Sequence, residues 1–294
     1  MIRLQINKHL YRKKRKELPS QPFIKVHTLH KWSKIHTMVS ISEDKIFHYS
    51  GHENLEIVSQ SNHFNNWIYK EIFSGLKGDI LEVGSGIGTF SQKIIRDVQH
   101  SHITLTDISL PYVKKLEERF SKSNDGNNNN INNNNSISIC KLDLNCKADY
   151  EKIGYEKFDS IIAINVLEHV EDDIFALQQL YKMLKSEGIL IILVPCHKFL
   201  YNVIDTNVGH FRRYTKKDLE LKIRKTRFSI ERMFYFNMLG IIGWYINGNI
   251  AKNPKINSSA SKLFDRIVPL LKYMEAMTGK KIGLSIICYL KKHS

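Results

Sequence analysis

The stretch "ILEVGSGIGTF", Ile80 to Phe90, opens as an apolar run carrying a single acid, Glu82, and then sets glycines at three alternate positions, Gly84, Gly86 and Gly88. An apolar run closed by glycine reads as a buried strand ending in a tight turn. The apolar spacing from Gly88 to Val98 then reads as a helix. Without side chains, the turn can fold tightly and let a ligand lie against its backbone. In an α/β sheet that place, beyond the C-terminal end of a strand, is where ligands bind.

Outward from this stretch, β-branched runs alternate with helical patterns, which predicts parallel strands joined by helical crossovers. Asp79–Val83 is the first strand. His102–Thr106 is the second, followed by a helix over Pro111–Phe120 with proline in its first turn. Ser136–Leu142 is the third, "FDSIIAIN" from Phe158 the fourth and "GILIILVP" from Gly188 the fifth. Between the last two, Val170, Ile174, Leu177, Leu180, Tyr181 and Leu184 fall on one helical face. The C-terminal third begins with a polar and aromatic connection, "HKFLYNVIDTNVGHFRRYTKKDL". It ends in a capping box, Thr215 with Asp218. A strand over "FSIERMFYFN", an apolar helix around Met238–Ile246, a helix near Leu263–Met277 and a final strand "LSIICYLKK" complete the chain.

Three arguments narrow the ligand of the glycine turn. No Lys-Ser/Thr follows at P-loop spacing. The third glycine arrives one residue early for a dinucleotide fingerprint, and Glu82 would repel a pyrophosphate. A carboxylate there suits a ligand with a positive end, and S-adenosylmethionine has one in its ammonium and sulfonium groups. Asp107, nineteen residues after Gly88 at the end of the second strand, can accept ribose hydroxyls. Asp143, at the end of the third, is placed to reach the adenine amino group.

With these residues the chain resembles the class I S-adenosylmethionine-dependent methyltransferases, in their small-molecule branch of methyltransferase types 11 and 12. "ILEVGSGIG" is similar to that family's first motif, "LTDIS" to its ribose-binding acid, "LDL" to its adenine motif and "FDSIIAINVLEHVEDD" to its fourth-strand motif. The resemblance implies a doubly wound, Rossmann-like α/β fold: a seven-stranded, mainly parallel sheet with an antiparallel last strand, in three α/β/α layers. It implies S-adenosyl-L-methionine as cofactor, held by Glu82, Gly84, Ser85, Gly86, Gly88, Asp107, Ile108, Asp143, Leu144 and Asn165. The candidate catalytic residues are His169, beside the fourth strand, and His210, in the connection after the fifth. Arg212, Arg213 and Tyr214 are expected to bind substrate, with both arginines suited to clamping an anionic acceptor.

The net charge is +15, of which Met1–Lys34 supply +9. Residues 1–45 therefore read as a basic arm and 46–294 as the methyltransferase domain, with an asparagine-rich insertion at 124–135 that cannot bury enough apolar surface to order itself. Residues 196–280 read as a substrate lid and helical additions. The arm reads as a flexible, solvated tail, or it suits phosphates, an anionic membrane surface or a localisation signal, so peripheral membrane contact and an RNA substrate both stay open. The aromatic Pro-Pro motif of base-amine methyltransferases is absent after the fourth strand, where "NVLE" stands, and a small-molecule, lipid-linked or glycan acceptor is preferred. A non-catalytic protein that binds the nucleoside is the other alternative. Cys140, Cys146, Cys196 and Cys288 lie too far apart for zinc or redox spacing, so no metal site is read. They are taken as reduced thiols of a cytoplasmic protein, a mitochondrial presequence being the alternative.

Overall fold

A computed structural model describes residues 52–120 and 136–294, all within the compact unit Tyr49–Ser294. The arm and the insertion at 124–135 lie outside the described residues. Seven strands form one sheet: β1 (Gly78–Val83), β2 (His100–Asp107), β3 (Ser136–Lys141), β4 (Phe158–Ile164), β5 (Leu184–Pro195), β6 (Ser229–Phe236) and β7 (Ser285–Lys291), in the order β3-β2-β1-β4-β5-β7-β6. The first five pair in parallel, and β7 runs antiparallel to both β5 and β6.

The central strands read as continuous apolar runs because both of their faces are covered. Leu81 and Val83 point into one core with Leu177, Leu190 and Ile192; Ile80 points into the other with Ile94, Leu116 and Ile191. The helices are α1 (His52–Ser59), α2 (Asn62–Phe73), α3 (Ser91–Asp97), α4 (Leu110–Phe120), α5 (Lys147–Ile153), α6 (Asp173–Met183), α7 (Val203–Asn207), α8 (Lys216–Ile223), α9 (Gly240–Trp244) and α10 (Ser258–Met277). Helices α2, α3, α4 and α10 contribute to the Ile80 side, α5, α6 and α8 to the Leu81 side. The three expected layers follow.

Boundaries differ where local geometry overrides pattern. The first crossover helix starts at Ser91, not Gly88, because the left-handed glycine at 88 (φ +82°) belongs to the turn. Val170 precedes α6 and Leu184 already belongs to β5, so the six-residue stripe spans more than one element. The apolar segment after β6 forms only a short α9, which widens into a π-helical turn over Tyr245–Ile250. Helix α10 begins at Ser258, five residues before Leu263, capped by Asn257 accepting from the Ala260 amide at 3.0 Å.

Candidate active site

The chain crosses from the β2–β3 half of the sheet to β4 beside β1, and this reversal of strand order opens a crevice at the C-terminal ends of β1 and β4. The glycine turn lies in it. Gly84, Gly86 and Gly88 all have positive φ, at +72°, +55° and +82°. A Cβ on Gly84 would stand 2.5 Å from Val166 Cγ2 in the loop after β4, and one on Gly88 2.8 Å from Phe120. Glycine is therefore required twice over at these positions, by backbone conformation and by space.

Glu82 shares the Ile80 face of β1, which brings its Oε2 to the Ser91 hydroxyl at the start of α3, 2.5 Å away. Burial pushes its carboxyl up to about 7, with hydrogen bonds from Ser91 and Ser85 opposing the rise and the nearby Asp107 adding to it. Asp107 is also buried, and burial raises its carboxyl. Its Oδ2 accepts the Gly86 amide at 2.9 Å and its Oδ1 the Ser109 amide at 2.8 Å, which locks the end of β2 to the turn. Ser85 is buried, and its amide donates to the Thr106 carbonyl at 2.8 Å. Ile108 is exposed next to Asp107. Asn165 is exposed at the end of β4 with φ +52°.

Beyond β3, Asp143 directs Oδ1 to the amide and side chain of Asn145, at 2.9 and 3.2 Å. Leu144 is buried in the Leu81-side core. The structure thus brings Glu82, Ser85, Gly86 and Asp107 into one bonded constellation, while Asp143 closes its own turn.

The connection after β5 leaves the sheet at Cys196 and returns at Tyr214, the two being bridged in parallel. Its loop folds over the segment after β4: the Phe211 amide donates to the Glu168 carbonyl at 2.9 Å. The rings of His169 and His210 meet edge to face, 4.6 Å between centroids. His210 Nδ1 hydrogen-bonds Asp205 at 2.7 Å, and its Nε2 faces Glu168 Oε1 at 3.7 Å. Burial pushes His169 down to about 4, His210 reinforcing the shift, and pushes Glu168 up to about 7.

The proposed substrate residues make their bonds inside the protein. Arg212 donates to the carbonyls of Val170 and Glu171, both at 2.8 Å, and pairs with Asp173 at 2.9 Å. Arg213 is buried, donates from Nε to both oxygens of Asp205 at 2.9 and 3.0 Å, and lies over the Trp244 ring. The buried Tyr214 hydroxyl donates to Asp173 at 2.8 Å. Arg212 and Tyr214 tie this connection to the segment after β4, whereas Arg213 braces Asp205 within the connection itself. Sequence reasoning overlooked Ser91, Glu168 and Asp205. Glu168 stood beside His169 inside the fourth-strand motif without a role of its own, and Asp205 left a trace as N3 of a capping box that begins at Asn202.

Residues 81–190 match the family model of the methyltransferase domain of type 12. "Probable polyketide synthase 42" of Dictyostelium discoideum is 28% identical over 200 residues, which cover 61% of this chain and 7% of that protein. The chain thus spans about one fourteenth of that relative's length. Among solved structures, phosphoethanolamine N-methyltransferase 2 of Haemonchus contortus in complex with S-adenosyl-L-methionine superposes with a TM-score of 0.51 and 17% identity, over 79% of this chain and 52% of that one. The same enzyme with phosphomonomethylethanolamine and S-adenosylhomocysteine gives identical figures. A glycine turn pinned by an acid from the neighbouring strand, the sheet order that carries it and the matched model converge, and residues 81–190 carry a methyltransferase domain of the class I, S-adenosylmethionine-dependent kind.

Proposed function

We propose that the chain transfers a methyl group from S-adenosylmethionine to a small-molecule acceptor by in-line displacement. The observation that carries this reading is the Gly86–Asp107 lock beside buried Glu82, set in the crevice between β1 and β4. The residues fit the donor: the glycine turn presents its backbone at the end of β1, and two carboxylates, Glu82 and Asp107, are available beside it to the donor's cationic and hydroxyl groups. Asp107 would take the ribose hydroxyls with the acceptor capacity left on its two oxygens. Glu82 would offset the positive end, and a neighbouring cation favours its ionised form.

The donor supplies an already activated methyl group, so the chain's task is chiefly orientation. Ser91 fixes Glu82, and the Gly86 and Ser109 amides fix Asp107. His169 and His210 stand on the same edge, on the loop after β4 and on the lid, and form the acceptor side. With Asp205 accepting from Nδ1, the Nε2 of His210 carries a lone pair and can orient an acceptor hydroxyl or receive its proton. The polyketide synthase relative supports an acceptor of small-molecule class. Incubating the purified chain with methyl-labelled donor and cell extract, then fractionating small molecules, lipids, protein and RNA, tests the reading. Label in the small-molecule fraction supports it; label in RNA alone overturns the acceptor class, and no label in any fraction overturns the activity.

A further inference from the structure

Glu168 is fully buried, yet neither of its carboxylate oxygens has a hydrogen-bond partner among the described residues. A buried carboxylate left without donors is costly, and an apolar side chain would fill such a place more cheaply. What it lies beside is two imidazoles. One ligand atom from each of Glu168, His169 and His210 lies within 4.8 Å of the other two. The distance from His210 Nε2 to Glu168 Oε1 is 3.7 Å.

Both imidazoles are held from behind. His210 uses Nδ1 on Asp205, and Asp205 is in turn gripped by Arg213. The His169 ring hydrogen-bonds the Gly209 backbone. A hydrogen bond at one ring nitrogen orients the ring, the arrangement that supports metal-ligating histidines; for His210 it leaves Nε2 toward Glu168.

We propose that Glu168, His169 and His210 bind a divalent transition-metal ion, with Asp205 as the outer support of His210. Bonds of about 2.0–2.2 Å in a tetrahedral site set ligand atoms about 3.4 Å apart, so the 3.7 Å pair is nearly in place and a small ring rotation closes the rest. Two imidazoles and one carboxylate favour zinc, iron, cobalt or manganese over magnesium or calcium. With the ion bound, the His210 Nε2 lone pair is committed to it and no longer meets the acceptor directly; three protein ligands leave a coordination position open for water or an acceptor oxygen. That last role rests on the methyltransferase reading; the ion site does not. The ion would also join the loop after β4 to the lid.

The full chain, stripped with chelator, is titrated with zinc chloride by calorimetry and with cobalt chloride by visible absorption. The expected result is one ion per chain, with Glu168→Gln, His169→Ala and His210→Ala each weakening uptake by about 10- to 100-fold or more. Far-UV circular dichroism on the same preparations reports that each variant is folded, and S-adenosylhomocysteine affinity is measured separately to read the nucleoside site. Uptake by none of the preparations, or equal uptake by wild type and by folded variants, overturns the site. Failure of ion uptake with intact nucleoside binding rejects the metal and leaves the methyltransferase reading standing; the converse rejects the donor assignment and keeps the ion.

Discussion

Replacing Asp107 by asparagine keeps the shape of the side chain and removes its charge, which makes it the sharpest probe of the donor site. In the native protein the two carboxylate oxygens accept one backbone amide each, from Gly86 and Ser109. An amide side chain has one oxygen and one NH2, so whichever way it turns, one backbone N–H faces another donor. Losing a charge-assisted hydrogen bond costs about 1.5–3 kcal/mol, and a buried donor left unpaired about 1–3 kcal/mol more. Part of this appears as lower stability of the turn. The ribose hydroxyls independently lose an anionic acceptor, which weakens binding by roughly 10- to 150-fold. Titration with S-adenosylhomocysteine by calorimetry reads the second effect, and thermal unfolding by circular dichroism reads the first. Affinity within about threefold of wild type in a folded Asp107→Asn protein would refute the assignment of this carboxylate to the nucleoside.

Four further outcomes are expected. Burial holds Glu82 at about 7 against an ordinary 4.5, so the folded chain keeps a proton that the unfolded chain has released between those values. Its contribution is complete below about pH 4.5 and is lost as pH rises through 7, on the order of 3 kcal/mol in all. Glu82→Gln should therefore gain in melting temperature relative to wild type on going from about pH 5 to about pH 8, and a relative loss would contradict the burial argument. Gly84→Ala should lose stability and nucleoside affinity, since a left-handed alanine costs about 1–2 kcal/mol before its contact with Val166 is counted. Adding Val166→Ala should restore only the steric part, so full recovery in melts would show that the backbone conformation is unimportant. Arg213→Met strands a buried Asp205 and should destabilise the fold by about 3–5 kcal/mol in urea unfolding; pairing it with Asp205→Asn should recover part of that, and an additive double variant would deny the coupling. His210→Ala should lower turnover of labelled donor while nucleoside affinity holds, and unchanged turnover would remove this residue from the acceptor side.

The glycine turn was legible because its chemistry is local: an apolar strand, one acid and three glycines within eleven residues leave few alternatives. Thr215 and Asp218 announced α8 for the same reason, each side chain bonding the other's backbone amide. Helices α1 and α2 were passed over because their stretches carry several polar residues. Asn65 is buried there through its own bonds to the Val58 and Ser59 carbonyls, which no hydrophobic period reports. The partner of Glu82, Ser91, could be found only by knowing that α3 starts at that residue. Glu168, Asp205 and His210 come together because the connection after β5 leaves at Cys196 and returns at Tyr214. That closure is a property of the sheet edge, and residue spacing does not contain it. Arg212 and Arg213 looked like an anion clamp because sequence shows charge without showing the acceptors, here Asp173, Asp205 and backbone carbonyls, that already occupy it.

Strand β7 lies between β5 and β6 although it follows both in the chain. During synthesis, the apolar ladder Ile189–Val194 must wait for residues 286–291 to clear the ribosome before it gains its neighbour. The nascent protein therefore carries an open β edge from the completion of β5 until β7 emerges about ninety residues later. A stop codon before Ser285 would yield a chain inclined to clump or to borrow a strand from a sister molecule, not a shorter version of the same fold.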